Sequence, residues 1–523
     1  MRLVSTFMHA IPKHYYWWTG VWVVLWFFYS ITAWQQLPWP VFSSPDETAN
    51  FAFAQQDRFT SNTYIPTGAP GAPRSVINTG TALVPASFVF FPHLVGFVGK
   101  IFGTFGMLML GPVLAASAVL AWFVFVRATF ASKTIAWISA SLLATFPTYW
   151  FYASRGMWQN GLFTSLLIIS VVGTGWAWRV RYWGTSALCG LLWGITIAVR
   201  PSEFSWVAPG VFVAMLLVWR RIPWRHFFIA AACATVPIVC LVFFQWRTYQ
   251  SPLAVGYRPT GVLEPAPIVQ ELGTFQQVKN VFFPFGTNPK VAWKTFTTYG
   301  TRPLSYVIYP AVAGLLWLLW RAPAAGKRFL TAGLVAGLFL FVLYGNYRFV
   351  EYPAVREAVL DGSYLRYWLP FVLLVALGWG GLVQGLQSIK VGKLFGYVFV
   401  GTVLVLNLAV LLTDNTIGLL HTTPRVREAQ TQSRWLVANT PANAVVVAGS
   451  RDKLVFPRRH AIGFNGTIPS GLDLGFAAAN FPTYIVLSNA TQDTLLSTAF
   501  PTLLSDEPLV GPGGLSLVQL HQR

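Results

Sequence analysis

Residues 81–100 read TALVPASFVFFPHLVGFVGK, and whether this stretch crosses a membrane decides the arrangement of everything around it. Its length and apolarity would suffice for a span, but Pro85, Pro92 and His93 interrupt it. The surrounding basic residues settle the question. Apolar stretches of helix-spanning length occur at about 15–36, 104–126, 134–151, 159–178, 183–199, 203–219, 226–245, 303–320, 329–345, 367–389 and 394–413. Between them lie basic clusters: Arg2 with Lys13, Arg127 with Lys133, Arg179 with Arg181, and Arg220, Arg221 and Arg225 in RRIPWR. Arg321, Lys327 and Arg328 follow, then Lys390 and Lys393. All six clusters fall on the cytoplasmic side only if 81–100 stays out of the span count, as the positive-inside rule requires. The stretch is therefore expected to be an outer-side interfacial or re-entrant helix.

The expectation is an all-α polytopic membrane protein with about eleven transmembrane helices, N-terminus inside and C-terminus outside. Backbone in hydrocarbon must satisfy its own hydrogen bonds, which favours helices, and the alternating polar residues of a β-barrel are absent. The outer side then owns a first loop at 37–103, a second at 246–302, the short loop 346–366 and the tail from 414. Residues 1–413 read as the membrane module and 414–523 as a small extracytoplasmic α/β domain, because PANAVVVAGS and PTYIVLSNA look like strands bounded by turn residues.

Composition agrees. Among 523 residues, charged side chains make up 10% and hydrophobic ones 55%, too few charges for a soluble domain. The 24 Trp, 19 Tyr and 42 Phe suit helix ends at a lipid interface. A formal charge of +20 in a soluble chain would suggest nucleic acid, but here the basic residues punctuate apolar runs and orient them, so no nucleic-acid partner is expected. Cys189, Cys233 and Cys240 lie in apolar segments without metal-ligand or disulfide spacing. No small-residue cleavage pattern follows the N-terminus, so the first helix reads as uncleaved. A monomer in the plasma membrane is expected.

With only 16 acidic residues, the adjacent pair Asp46 and Glu47 in SSPDETANFAFAQQ stands out. It sits about ten residues past the first span, on the outer side. Ser-Pro followed by acids favours a helix N-terminus, so the pair could simply cap a helix. A carboxylate at the membrane face amid apolar residues nevertheless carries a functional implication. Facing it on the same side are Arg58, Arg74, Arg155 with Asn160, Arg200 with Glu203, Arg258, Arg302, Arg348 and Arg366. Guanidinium forms paired, charge-assisted bonds to phosphate, which would explain arginines gathered against the positive-inside bias. Singly, each could equally contact a lipid headgroup or a local acid.

These residues resemble the polytopic glycosyltransferases of the GT-C fold, in particular the branch with protein O-mannosyltransferases and the aminoarabinose transferase of lipid A. The shared features are the acidic pair in SSPDE after span one, interfacial helices after it, and FPTYWFYASRGMWQN with Arg155. Arg200-Pro201 before a span and the run Arg366, Tyr367, Leu369, Pro370 complete them. The resemblance spans residues 15–413 in organisation. It implies a polyprenyl-phosphate sugar donor, a lipid, glycan or protein acceptor, and a catalytic site open to the outer side. Asp46 would be the general base, with Glu47 orienting it, the acceptor or an ion. Arg366 and Arg155 would bind the donor phosphate first, then Arg58, Arg302 and Arg348. Asn160, Arg200, Arg258 and Tyr367 would position donor or acceptor. Direct attack at the anomeric carbon would invert its configuration.

Asn160 stands where relatives carry a second acid, and an amide is a weaker ligand without charge, so no tightly bound metal is expected. A magnesium or manganese ion between Asp46, Glu47 and the donor phosphate stays open. Two other classes compete with the enzyme. A transporter or flippase for a lipid-linked or anionic substrate would also have many spans and scattered arginines, but would favour ionisable residues deep in a span or matched broken helices. An assembly protein with a partner-binding tail would leave the two acids without a task.

Overall fold

The computed structural model describes residues 15–252, 283, 285–347, 360, 363–389, 392–464, 474–488, 503–505 and 507–522. Most apolar stretches form helices near the anticipated bounds. The chain enters through α1 (Tyr15–Gln36) and turns into α2 (Pro45–Thr60). A small antiparallel sheet follows, with β1 (Ile65–Pro66) and β2 (Val76–Asn78) flanking β3 (Ala82–Pro85). Then come α3 (Phe90–Phe130), α4 (Lys133–Thr145), α5 (Pro147–Ala153), α6 (Gln159–Val180), α7 (Trp183–Val199), α8 (Phe204–Val218) and α9 (Trp224–Tyr249). The later helices are α10 (Pro289–Thr295), α11 (Ser305–Arg321), α12 (Ala324–Gly345), α13 (Ser363–Tyr367), α14 (Phe371–Leu386) and α15 (Gly392–Thr413).

Among the described residues, seven helices are long and apolar enough to cross a membrane, and α7 and α14 are shorter apolar helices. The first helix, α1, falls outside that set because its Trp and Tyr side chains lower its hydropathy.

The decisive stretch 81–100 divides in two. Residues 82–85 form β3, and the helix starts only at Phe90. That helix breaks at Gly103, whose φ of 67° and ψ of −161° lie outside helical space and suit glycine. The segment before the break buries Phe91, His93 and Val95, while Phe97, Ile101 and Phe102 stay exposed. Two expected spans are also interrupted. The stretch 134–151 breaks at Phe146, held extended by Pro147, so α5 is a separate short helix whose residues are all buried. The stretch 367–389 begins as α13, turns at Pro370 and continues as α14.

Helices pack closely where side chains are smallest. A Cβ on Gly314 of α11 would strike the carbonyl of Gly378 on α14, and one on Gly378 would strike that of Ala311. Small residues let helix backbones approach in lipid, where packing replaces the hydrophobic driving force.

The tail begins with α16 (Leu419–Ala438) and adds α17 (Leu474–Asn480) to a mixed sheet. Its strands are β4 (Val445–Val447), β5 (His460–Ile462), β6 (Thr483–Ser488), β7 (Leu503–Ser505), β8 (Leu509–Val510) and β9 (Leu515–Gln522), in the order β5-β4-β6-β9-β7 with β8 beside β9. The parallel pairs β4–β5 and β4–β6 explain the buried run Val445–Val447, apolar at every position. This region shares a core with the segment that follows α1: Val41, Ala49, Phe53 and Val76 pack with Leu436, Val446 and Leu454.

Candidate active site

The N-terminus of α2 is built by the motif itself. Ser44 is the N-cap and its hydroxyl accepts from the Asp46 amide at 3.2 Å, while Pro45 opens the first turn. Asp46 and Glu47 follow in that turn, where acids suit the helix dipole. Capping is thus part of their setting, yet their side chains diverge. Glu47 points inward and is 2% exposed, whereas the Asp46 side chain keeps 23% exposure. One turn on, Asn50 locks α2 to the bundle. Its amide donates to the Met157 carbonyl at 3.1 Å, and its Oδ1 accepts from Ser87 and Gln159, each at 3.2 Å.

Asp46 receives two donors from distant parts of the chain. Arg366 Nη1 reaches Oδ2 at 2.8 Å, and Ser75 Oγ donates to Oδ1 at 2.5 Å. The Arg366 guanidinium also donates to the Tyr367 hydroxyl at 3.3 Å and lies 4.9 Å from the Trp158 ring centre. Asn160 fixes the backbone here, its amide donating to the Arg366 carbonyl at 3.1 Å.

Glu47 has its own cation. Arg155 Nη1 stands 3.3 Å from Oε2 and donates to Ser43 Oγ at 2.5 Å, with its guanidinium 4.1 Å from the Phe151 ring centre. Burial pushes the Glu47 carboxyl above its ordinary range; Arg155 opposes this and Asp46 adds to it. From the tail, Lys453 Nζ donates to the Ser43 carbonyl at 2.6 Å, and burial, then Arg74, pulls that amine below its ordinary range.

Behind this layer Arg200 pairs with Glu203 at 2.7 Å, both buried. Glu203 also accepts from Tyr344 at 2.6 Å and from the Trp206 indole. Arg200 lies 5.1 Å from the Tyr367 ring centre, so it supports Tyr367 from beneath.

Asp46, Glu47, Arg155, Asn160, Arg200, Arg366 and Tyr367 therefore form one contiguous cluster. Arg58 stands apart: it sits twelve residues along α2, roughly 18 Å at helical rise, and donates to Thr104 at 3.4 Å. Its expected place beside the others is corrected by that helix. Arg302 is exposed at the approach to α11. Arg258 and Arg348 lie outside the described residues. Among the described residues no group of three or more His, Cys, Asp or Glu is placed to hold a metal ion. Ser43 and Ser75, Trp158 and Lys453 were not anticipated. Ser43 at least adjoins the acidic motif, but nothing in sequence ties Ser75 or Lys453 to it.

No protein-family description matches the chain, and no curated protein does. Among solved structures it is similar to ArnT from Cupriavidus metallidurans in the apo state, at 13% identity and a TM-score of 0.54, over 96% of this chain and 98% of that one. It also matches the Archaeoglobus fulgidus oligosaccharyltransferase tethered with an acceptor peptide containing the NVT sequon. That likeness, at 12% identity and a TM-score of 0.46 over 91% of this chain and 69% of that one, is too loose to add to the argument. The first likeness shows a fold shared almost end to end: a polytopic helical bundle with a small tail rich in β-structure.

Proposed function

We propose that this protein is a membrane glycosyltransferase that moves a sugar from a polyprenyl-phosphate donor to a lipid, glycan or protein acceptor at the outer face of the plasma membrane. The observation that carries this reading is the ion pair between Asp46 and Arg366 at the edge of the bundle. It puts a candidate base beside a candidate phosphate ligand. A guanidinium has five N–H donors in a fixed fork, so one such group can bridge a carboxylate and a phosphate. Leu365 and Trp368, one residue before Arg366 and two after it, line an apolar cavity with Phe146, Thr148, Phe296 and Phe371. An apolar cavity lined by chain neighbours of Arg366 supports the reading of a lipid donor.

In this mechanism the donor phosphate meets Arg366, with Arg155 on the other side of the acidic pair. Asp46 accepts the proton of the acceptor hydroxyl as its oxygen attacks the anomeric carbon, and the polyprenyl phosphate leaves with the glycosidic electron pair. One displacement inverts the configuration. Glu47, held by Arg155, orients the acidic turn. Tyr367 and Asn160 fix Arg366, and Arg200 supports Tyr367. The full topology belongs to the same proposal: eleven spans, N-terminus inside, residues 1–413 as the membrane module and 414–523 outside. A magnesium or manganese ion between donor phosphate and the two acids is not required by it.

The test is purified protein incubated with a panel of labelled polyprenyl-phosphate sugars. Release or transfer of sugar from at least one donor supports the enzyme. Binding and transbilayer movement without turnover would favour a flippase instead.

A further inference from the structure

Ser75 adopts φ of 61°, the left-handed region that non-glycine residues rarely occupy. A serine there must be held by its surroundings, and the holding group comes from the tail. Asp452 lies in the 3-10 turn Gly449–Leu454, and its side chain is 1% exposed. Its Oδ2 accepts the Arg74 backbone N–H at 2.6 Å, and its Oδ1 accepts from Arg74 Nη2 at 2.7 Å and Nε at 3.1 Å. Arg74 Nη2 also donates to the Ser450 carbonyl at 2.6 Å. Nearby, the Gly463 amide donates to the Ala72 carbonyl at 2.9 Å, a second bond from the tail to this loop, two residues before Arg74. On the far side of Ser75, its own carbonyl accepts from the Ala86 amide at 3.1 Å. With backbone bonds before and after it, Ser75 has its hydroxyl aimed at one target, Asp46 Oδ1 at 2.5 Å.

We propose that Asp452 is a positioning residue for Asp46. By clamping Arg74 it holds Ser75 in the left-handed conformation from which the Ser75 hydroxyl orients the Asp46 carboxylate. The tail thus sets the geometry of the catalytic turn as well as covering it. This rests on the reading of Asp46 as general base. The competing view is an ordinary docking ion pair, in which Arg74 and Asp452 only attach the tail and Ser75 bonds Asp46 incidentally.

The experiment compares wild type, S75A, D452N, the S75A/D452N double variant and D46N at equal folded yield. It uses whichever labelled polyprenyl-phosphate sugar wild type turns over, and measures donor affinity separately with an unlabelled polyprenyl phosphate. Losing a hydrogen bond to a charged group corresponds to about tenfold or more in rate. S75A and D452N are each expected to lower kcat by about that factor, with donor affinity kept within about twofold. Because they act in series, the double variant should lose no more than the worse single one. Losses that multiply, or a kcat at the wild-type level in S75A, would overturn the positioning role. So would a loss confined to folded yield, which is what mere docking predicts. D46N separates the two claims: a dead D46N with unaffected S75A and D452N removes only the positioning role, whereas a fully active D46N removes the base and, with it, any residue positioned for that base.

Discussion

Arg366 and Asp46 lie 320 positions apart in the chain and meet at 2.8 Å, joining the start of α2 to the last signature before α14. This contact brings the segment after α1 and the later half of the bundle to one point. Its chemistry depends on the shape of guanidinium as much as on its charge. A lysine at 366 would keep a positive charge near Asp46 but offer one compact head in place of the fork. Arg366→Lys is expected to weaken donor affinity, and Arg366→Ala to nearly abolish donor use, a loss of about 2–3 kcal/mol for a charge-assisted bond. Titration of wild type and both variants with a polyprenyl-phosphate sugar checks this. Equal affinities in all three would make Arg366 a headgroup anchor and move the phosphate clamp to Arg155.

Glu47 offers a pH test with a definite sign. Burial raises its proton affinity in the folded state, so the native protein holds more protons than the unfolded chain as pH climbs out of the ordinary glutamate range. Stability therefore falls as pH rises from that range through the raised folded value, and is level above it. Glu47→Gln removes this titration. The melting temperature of wild type minus that of the variant, in one detergent, should decline as pH rises through the window. A difference that grows with pH would mean that Arg155 stabilises the charged form by more than burial costs it.

Activity is expected to survive strong chelation. Asn160 spends its amide on the Arg366 carbonyl, and Asp46 and Glu47 each face an arginine. Turnover measured with and without EDTA checks this; loss that magnesium or manganese restores would show an ion taking part.

Sidedness can be read by cysteine labelling in intact cells, after Cys189, Cys233 and Cys240 are replaced. Thr60→Cys and Asn480→Cys, both at exposed positions, should react with an impermeant reagent, and Arg221→Cys should react only after permeabilisation. Reaction at 221 alone would invert the orientation.

The helices were legible because span length and basic punctuation are local signals. Their interruptions at Pro147 and Pro370 were visible as prolines, but a proline near the end of an apolar run does not tell whether the helix stops or bends. The acids and arginines of the cluster were legible one by one through residue type and side of the membrane. Their partners were not: Asp46 with Arg366 and Arg74 with Asp452 are contacts across 320 and 378 positions, set by tertiary packing. Arg58 shows the opposite error, since closeness in sequence to Asp46 became distance once α2 formed between them. Ser75 gave no sign at all, because a left-handed serine is imposed by its neighbours and has no composition signature.

The central claim, that Asp46 is the base of a sugar transfer, is tested most directly by Asp46→Asn, which keeps the side-chain shape and removes the carboxylate. Rates with the labelled polyprenyl-phosphate sugar that wild type uses should drop by about 10²–10⁴, the usual worth of a general base, while binding of polyprenyl phosphate is partly kept. Turnover near the wild-type rate in that variant would contradict the account.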